Sequence, residues 1–217
     1  VTRLLLLRHA ESEWNAEGRW QGLADPPLSP WGEEQAAHAG RLLGAAGVTG
    51  LVSSDLQRAR ATAARIAADL PGAGPVTLEP ELREYDVGAW SGLTRPEIEA
   101  GWPGAIDDWR HGRLFSTPGG ERRDVFVTRI CRAVTRVARE RPAEVVLVVT
   151  HGGVIAALCR TLGAPGRRFG HLAGVWVEAG ARLALGPFVS LLDGDPRWAR
   201  NDDRRRHQPA VSDTPGR

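Results

Sequence analysis

The chain has 217 residues, a formal net charge of +2, 42% hydrophobic residues and 25% charged residues. That length suits one large domain, and the composition is that of an ordinary soluble globule rather than a disordered or fibrous chain. The small net charge gives no electrostatic argument for nucleic acid, and no apolar run approaches the roughly 18 residues of a membrane span.

All 28 residues counted as lysine plus arginine are arginines. A Walker A lysine and a Schiff-base lysine are therefore impossible. Any phosphate must be held by arginine, histidine or backbone N–H groups, and arginine's planar fork suits phosphate oxygens. The first residues are expected to enter a strand and not to form a leader. Cys131 and Cys159 lie on apolar helical stretches. They fit a reducing cytoplasm better than a disulfide framework.

In chain order, the first strand is expected over Arg3 to Arg8, followed by a polar loop to Pro27. Ser29 and Pro30 open a helix to about Leu43, serine as N-cap and proline in the first turn. Gly50 to Ser53 reads as a short buried strand. Ser54 or Asp55 then caps a helix to about Leu70. Val76 to Leu78 is a third strand, and this alternation of strand and helix argues for a parallel sheet. From residue 83 to 124 the composition turns rich in glycine, proline and tryptophan. The stretch at about 88–124 reads as a structured excursion covering an active site. A helix over Asp124 to Arg139, a strand over Val145 to Thr150 and a helix from Gly152 to about Leu162 come next. Val175 to Glu178 and Arg182 to Leu185 form a late hairpin around Ala179 and Gly180. The domain is expected over 1–192, and the arginine-rich segment 193–217 is expected to be a disordered tail.

Two histidines stand at the ends of apolar runs. His9 follows Leu4 to Leu7 and Arg8, and His151 follows Val145 to Thr150. Residues released from buried parallel strands into a turn gather at the carboxyl edge of the sheet, where open α/β folds bind ligands. A neutral imidazole is a competent nucleophile near pH 7. Arg8 reaches the same side as His9 only if the strand has ended, since neighbouring strand residues face opposite ways. Gly152 and Gly153 open a helix whose free N–H groups suit an anion, and a protonated His151 would add positive charge beside it.

Arg58 sits one turn into the helix after the second strand, with Arg60 and Arg65 as alternatives on a solvated face. Glu84 follows the third strand and suits protonation of a leaving oxygen. Asp86 is two residues on, and chemistry alone does not choose between them. Neither cysteine begins a Cys-x5-Arg loop, and neither a Gly-x-Ser-x-Gly elbow nor a His-Glu-x-x-His zinc pattern is present. A metal-free mechanism is preferred.

Five segments together resemble the histidine phosphatase superfamily, the phosphoglycerate-mutase-like group. They are Arg8 to Asn15, Leu28 to Ala36, Ser53 to Ala63, Leu82 to Leu93 and Val149 to Gly153, in the family's order. The resemblance implies a three-layer α/β/α domain with a mainly parallel central sheet. It implies His9 as the nucleophile that becomes phosphohistidine, and Glu84 as proton donor and later base for water. Arg8, Arg58 and His151 would complete the phosphate pocket. Asn15, Gln21 and Gly22 match positions that often touch phosphate or substrate, Gly152 opens the helix at the pocket, and Glu121 matches a segment that often borders it.

The stretch Leu82 to Thr94 looks like the phosphatase branch rather than the mutases. The family often has serine after Gly-Gly-Glu, whereas Arg122 and Arg123 stand here, and two cations at the rim would select a second anionic group. Trp102, Trp109, Arg110, His111, Arg113 and Phe115 suit a sugar phosphate, a phosphoglycerate derivative or a nucleotide-like phosphate. The expectation is a cytoplasmic, metal-independent phosphomonoesterase for a small phosphorylated metabolite. It needs no cofactor, has no nucleic-acid or membrane partner, and is compatible with a homodimer. The rivals are a phosphoglycerate-type mutase and a catalytically silent binding module.

Overall fold

A computed structural model describes residues 1–198. The strand β1 (Thr2–Arg8) is buried along both faces. Leu4 and Leu6 enter one core cluster, and Leu5 and Leu7 enter the other. A strand that is apolar on both sides must lie inside a sheet covered twice. Each such leucine contributes roughly 1.5–3 kcal/mol of burial. β4 (Val145–Thr150) repeats the pattern and pairs with β1 in parallel, with Arg8 opposite Thr150.

The sheet has six strands in the order β3-β2-β4-β1-β5-β6, where β2 is Gly50–Ser53, β3 is Val76–Leu78, β5 is Ala173–Ala179 and β6 is Leu183–Ser190. The pairs β1–β4, β2–β4 and β2–β3 are parallel; β5 alone runs the other way, antiparallel to both β1 and β6. One face carries α2 (Pro30–Leu43) and α3 (Gln57–Ala67), through Ala36, Ala39, Ala59, Ala63 and Ile66. The other carries α6 (Arg123–Glu140) and α7 (Gly152–Thr161), through Ile130, Val134, Ile155 and Leu158. This is the expected three-layer, mainly parallel architecture. The carboxyl ends of β1 to β4 meet at one edge.

Local chemistry explains the agreements and the differences. Ser29 caps α2 by accepting from Gly32 N at 3.0 Å. A Cβ on Gly32 would lie 1.9 Å from the Glu11 carbonyl oxygen. Backbone cannot step aside there, so Gly32→Ala should destabilise the fold by about 2 kcal/mol. Urea unfolding would show a lower midpoint, and an unchanged midpoint would refute the close approach.

The second helix starts at Gln57, with Leu56 as N-cap and no side-chain cap. It does not use Ser54 or Asp55, because tertiary partners claim both. Ser54 Oγ lies 2.9 Å from His151 Nε2, and Asp55 accepts from Arg83 Nε at 2.7 Å. The helix ends at Ala67 rather than near Leu70. The polar loop contains a short helix, α1 (Glu13–Ala16), whose capping box joins Ser12 and Asn15. The late hairpin is longer than expected. β6 passes through Pro187 as an edge strand, where a missing N–H costs no ladder bond.

The segment expected as a tail from residue 193 is described as far as Trp198. Pro196–Trp198 form a helical turn. Trp198 is buried with its ring 4.7 Å from Trp31 and 5.4 Å from His38. One tryptophan among arginines leaves no periodic signal, so only the fold reveals its seat. The remainder of the expected tail lies outside the described residues. Among the described residues no helix is long and apolar enough to cross a membrane.

The excursion holds α4 (Arg95–Gly101) and α5 (Ala105–Arg110). Its two ends are pinned together by Ala89 N donating to Pro118 O at 2.8 Å. Trp20 lies edge-on to Trp90 and Trp109 at 5.4 and 5.6 Å, and Tyr85 is 5.5 Å from Trp109. These aromatic pairs make the excursion part of the core.

Candidate active site

His9 and His151 leave neighbouring strands one residue after the Arg8–Thr150 pair, which sets their ring centroids 5.2 Å apart. β1 ends at Arg8, so the strand alternation that would separate Arg8 from His9 no longer applies. Arg8 Nη1 donates to Phe169 O at 2.7 Å, and its side chain lies beside Gly152. Arg58 is 1% exposed, whereas Arg60 and Arg65 face solvent. The structure thus selects Arg58 among the three. Its Nη1 and Nη2 donate to Ala24 O at 2.7 Å and Gly22 O at 2.9 Å. Arg58 Nε and His151 Nδ1 are buried without a protein partner among the described residues. Buried polar atoms of this kind call for a ligand or solvent partner.

The His9 tautomer follows from one contact. Nδ1 lies 2.6 Å from the Ala10 carbonyl oxygen, which can only accept. Nδ1 therefore carries the hydrogen, and Nε2 presents a lone pair. Burial above all, and then Arg58 and Arg8, hold His9 well below the ordinary histidine range, against the opposing Ala10 bond. Burial first, then Arg58, His9, Arg8 and Arg129, do the same to His151. In the free protein His151 is therefore held as a neutral polar group. Burial lowers Arg58 to about 10, with Glu84 and Asp25 pulling upward, so it stays cationic at neutral pH.

These shifts have a signed consequence. Below about 6.5 the unfolded chain takes up protons on both histidines that the folded chain refuses, so stability falls as pH drops through that value. NMR titration of histidine-labelled protein should find both rings neutral at about pH 6.5. Half-protonation of either ring there would contradict the burial argument.

Glu84 and Asp86 are also separated by the structure. Glu84 Oε2 accepts from Gly153 N at 2.9 Å and Oε1 from Tyr85 N at 2.8 Å, which brings its carboxyl to the start of α7. Asp86 Oδ1 instead accepts from Gly88 N at 2.9 Å and closes a turn. A Cβ on Gly153 would lie 2.2 Å from Glu84 Oε1, so a side chain there would displace the Glu84 carboxyl.

The peripheral residues are placed as follows. Gly22, at φ +52°, supports Arg58 through its carbonyl. Gln21 is buried, and its backbone oxygen accepts from Ser91 at 3.1 Å. Asn15 Oδ1 accepts from Ser12 N and Oγ at 3.2 and 3.0 Å. Glu121 pairs with Arg129, Nε to Oε1 at 2.8 Å. Arg122 is exposed and pairs with Asp124 at 2.9 Å, while Arg123 lies 4.8 Å over the Trp109 ring. Trp109 itself belongs to the aromatic cluster, and Phe115 is exposed.

Sequence reasoning missed Ser54, Thr62, His171 and Arg129. Thr62 Oγ1 accepts from Ala10 N at 3.1 Å and donates to Arg58 O at 2.7 Å, tying the His9 turn to the Arg58 helix. His171 lies 6.2 Å from His9 and precedes an apolar run instead of ending one. No local pattern marks any of these four.

The profile of the histidine phosphatase superfamily, branch 1, matches residues 4–175. The chain belongs to this superfamily. Among the similar histidine phosphatases is a glucosyl-3-phosphoglycerate phosphatase of Mycolicibacterium vanbaalenii, 37% identical over 207 residues, spanning 90% of this chain and 88% of that protein. A protein named as a probable phosphoglycerate mutase in Salmonella paratyphi B is 34% identical, spanning 84% of this chain and 81% of its own. The solved structure of a mycobacterial glucosyl-3-phosphoglycerate phosphatase with VO3 superimposes with a TM-score of 0.79 at 32% identity, covering 88% of this chain and all of that one.

Proposed function

We propose that this chain is a metal-independent phosphomonoesterase that hydrolyses a small phosphorylated metabolite through a phosphohistidine on His9. The observation that carries this reading is the His9–His151 pair, 5.2 Å apart, with the His9 hydrogen committed to Ala10 O. Nε2 attacks phosphorus as the bond to the leaving oxygen breaks. Glu84 protonates that oxygen, which departs as an alcohol. Water then attacks the phosphohistidine, Glu84 takes its proton, and the N–P electron pair returns to Nε2. Arg8, Arg58 and His151 hold the phosphoryl oxygens, since phosphoryl transfer is chiefly positioning and charge stabilisation.

The phosphatase names of the mycobacterial relatives support a sugar phosphate or phosphoglycerate-like substrate. The free thiols of Cys131 and Cys159 support a reducing, cytoplasmic setting. A mutase reading rests on the name of the Salmonella relative.

Phosphate release from phosphoglycerates, glycosylated phosphoglycerates, sugar phosphates, nucleotides and nitrophenyl phosphate, in EDTA, separates the two. Hydrolysis of one group at undiminished rate is expected. Release only after metal is restored would end the metal-independent reading. Phosphoglycerate interconversion dependent on bisphosphoglycerate, with little free phosphate, would establish the mutase.

A further inference from the structure

Glu84 stands on a segment with little support of its own. β3 has three residues, lies at the sheet edge and is largely exposed. Beyond it, Glu79 N donates to Ser53 O at 2.8 Å, but regular strand pairing has ended. The backbone from 81 to 84 is instead gripped by side chains. Leu82 O accepts from Thr150 Oγ1 at 2.9 Å. The other three carbonyls all accept from one residue on α6. Arg129 Nη1 donates to Glu81 O at 2.7 Å and Arg83 O at 2.8 Å, and Nη2 donates to Glu84 O at 2.9 Å. Its remaining N–H groups go to Glu121, Nε to Oε1 at 2.8 Å and Nη2 to Oε2 at 2.9 Å.

A guanidinium has five N–H donors in a fixed plane, and each has an acceptor here. The ion pair is well shielded, with Arg129 16% and Glu121 15% exposed. Glu121 is anchored in turn, because its N donates to Asp86 O at 3.0 Å and Tyr85 Oη donates to its carbonyl. Arg132 and Arg136, one and two turns further along α6, pair with Glu81 and Glu79 through side chains alone. Arg129 is the member of this row that holds backbone, including that of Glu84 itself. A lysine offers three donors from a single point and cannot reproduce such a planar clamp.

We propose that Arg129, fixed by Glu121, is a positioning residue that aims the Glu84 carboxyl at the leaving oxygen. The proposal rests on Glu84 being the proton donor of the phosphatase reading. Its signature is selective. A misplaced acid slows substrates that need protonation and spares those that do not, whereas general damage to the site slows both.

The test compares wild type, Glu84→Gln, Arg129→Gln and the double variant on an alkyl phosphate and on nitrophenyl phosphate. Arg129→Gln should lower kcat on the alkyl ester about 30- to 100-fold and on nitrophenyl phosphate less than about 5-fold, short of the full loss of a general acid because the acid is misplaced and not removed. KM should change little. In the Glu84→Gln background the same substitution should cost less than about 3-fold more, because residues acting as one unit are non-additive. Equal loss on both substrates, or multiplicative loss in the double variant, would overturn the assignment. If Arg129→Gln does not fold, Arg129→Lys and Glu121→Gln carry the same comparison, and absence of leaving-group selectivity in both refutes it. If Glu84→Gln itself shows no selectivity, the acid assignment fails and the role of Arg129 fails with it. Selectivity in Glu84→Gln alone leaves the phosphatase reading standing and removes only Arg129.

Discussion

His9→Ala should reduce phosphate release by about 10⁴-fold or more on every substrate, because the reaction loses the atom that bonds to phosphorus. The fold should survive. His9 is buried, but its ring hydrogen bond is local, to Ala10 O. It also sits among Arg8 and Arg58, which disfavour a second proton on the ring. Circular dichroism and thermal melting would confirm a native-like variant, and phosphate release on nitrophenyl phosphate would measure the loss. Labelling quenched in alkaline denaturant, where the N–P bond survives, should trap phosphohistidine in wild type and none in the variant. Substantial turnover by folded His9→Ala would exclude the covalent route.

Glu84→Gln should divide the substrates. On an alkyl phosphate, whose leaving group needs a proton, a loss of about 10²- to 10³-fold is expected, as for removal of a general acid. On nitrophenyl phosphate, whose anion leaves unaided, the loss should stay below about 10-fold by the same argument. The carboxylate accepts from both Tyr85 N and Gly153 N. An amide keeps only one acceptor atom, so a small uniform loss accompanies the selective one. Equal loss across leaving groups would make Glu84 structural. Asp86 would not replace it without rearrangement, since its carboxylate is turned to Gly88 N.

The parts of the site legible in the sequence share one property. His9, His151 and Arg58 each follow a buried strand within a few residues, so the strand pattern alone carries them to the same sheet edge. The choices left open were of another kind. Arg58 against Arg60 and Arg65 depends on which face of α3 meets the 22–24 loop. Glu84 against Asp86 depends on where a turn points each carboxylate. Ser54 shows the same limit from the other direction. It looked like a helix cap, and a histidine 97 residues away claims it instead.

The sequence by itself determined the doubly covered parallel sheet, the edge at which the histidines emerge, and the exclusion of lysine chemistry. These follow from residue type and local period, because a run of four leucines cannot be solvated and an absent residue cannot act. Only the tertiary structure decided the His9 tautomer, the neutrality of His151, the different partners of the Glu84 and Asp86 carboxylates and the clamp of Arg129 on residues 81 to 84. Each depends on hydrogen-bond partners or burial contributed by distant segments, and side-chain hydrogen bonds with long sequence separation leave no periodic trace in the chain that makes them.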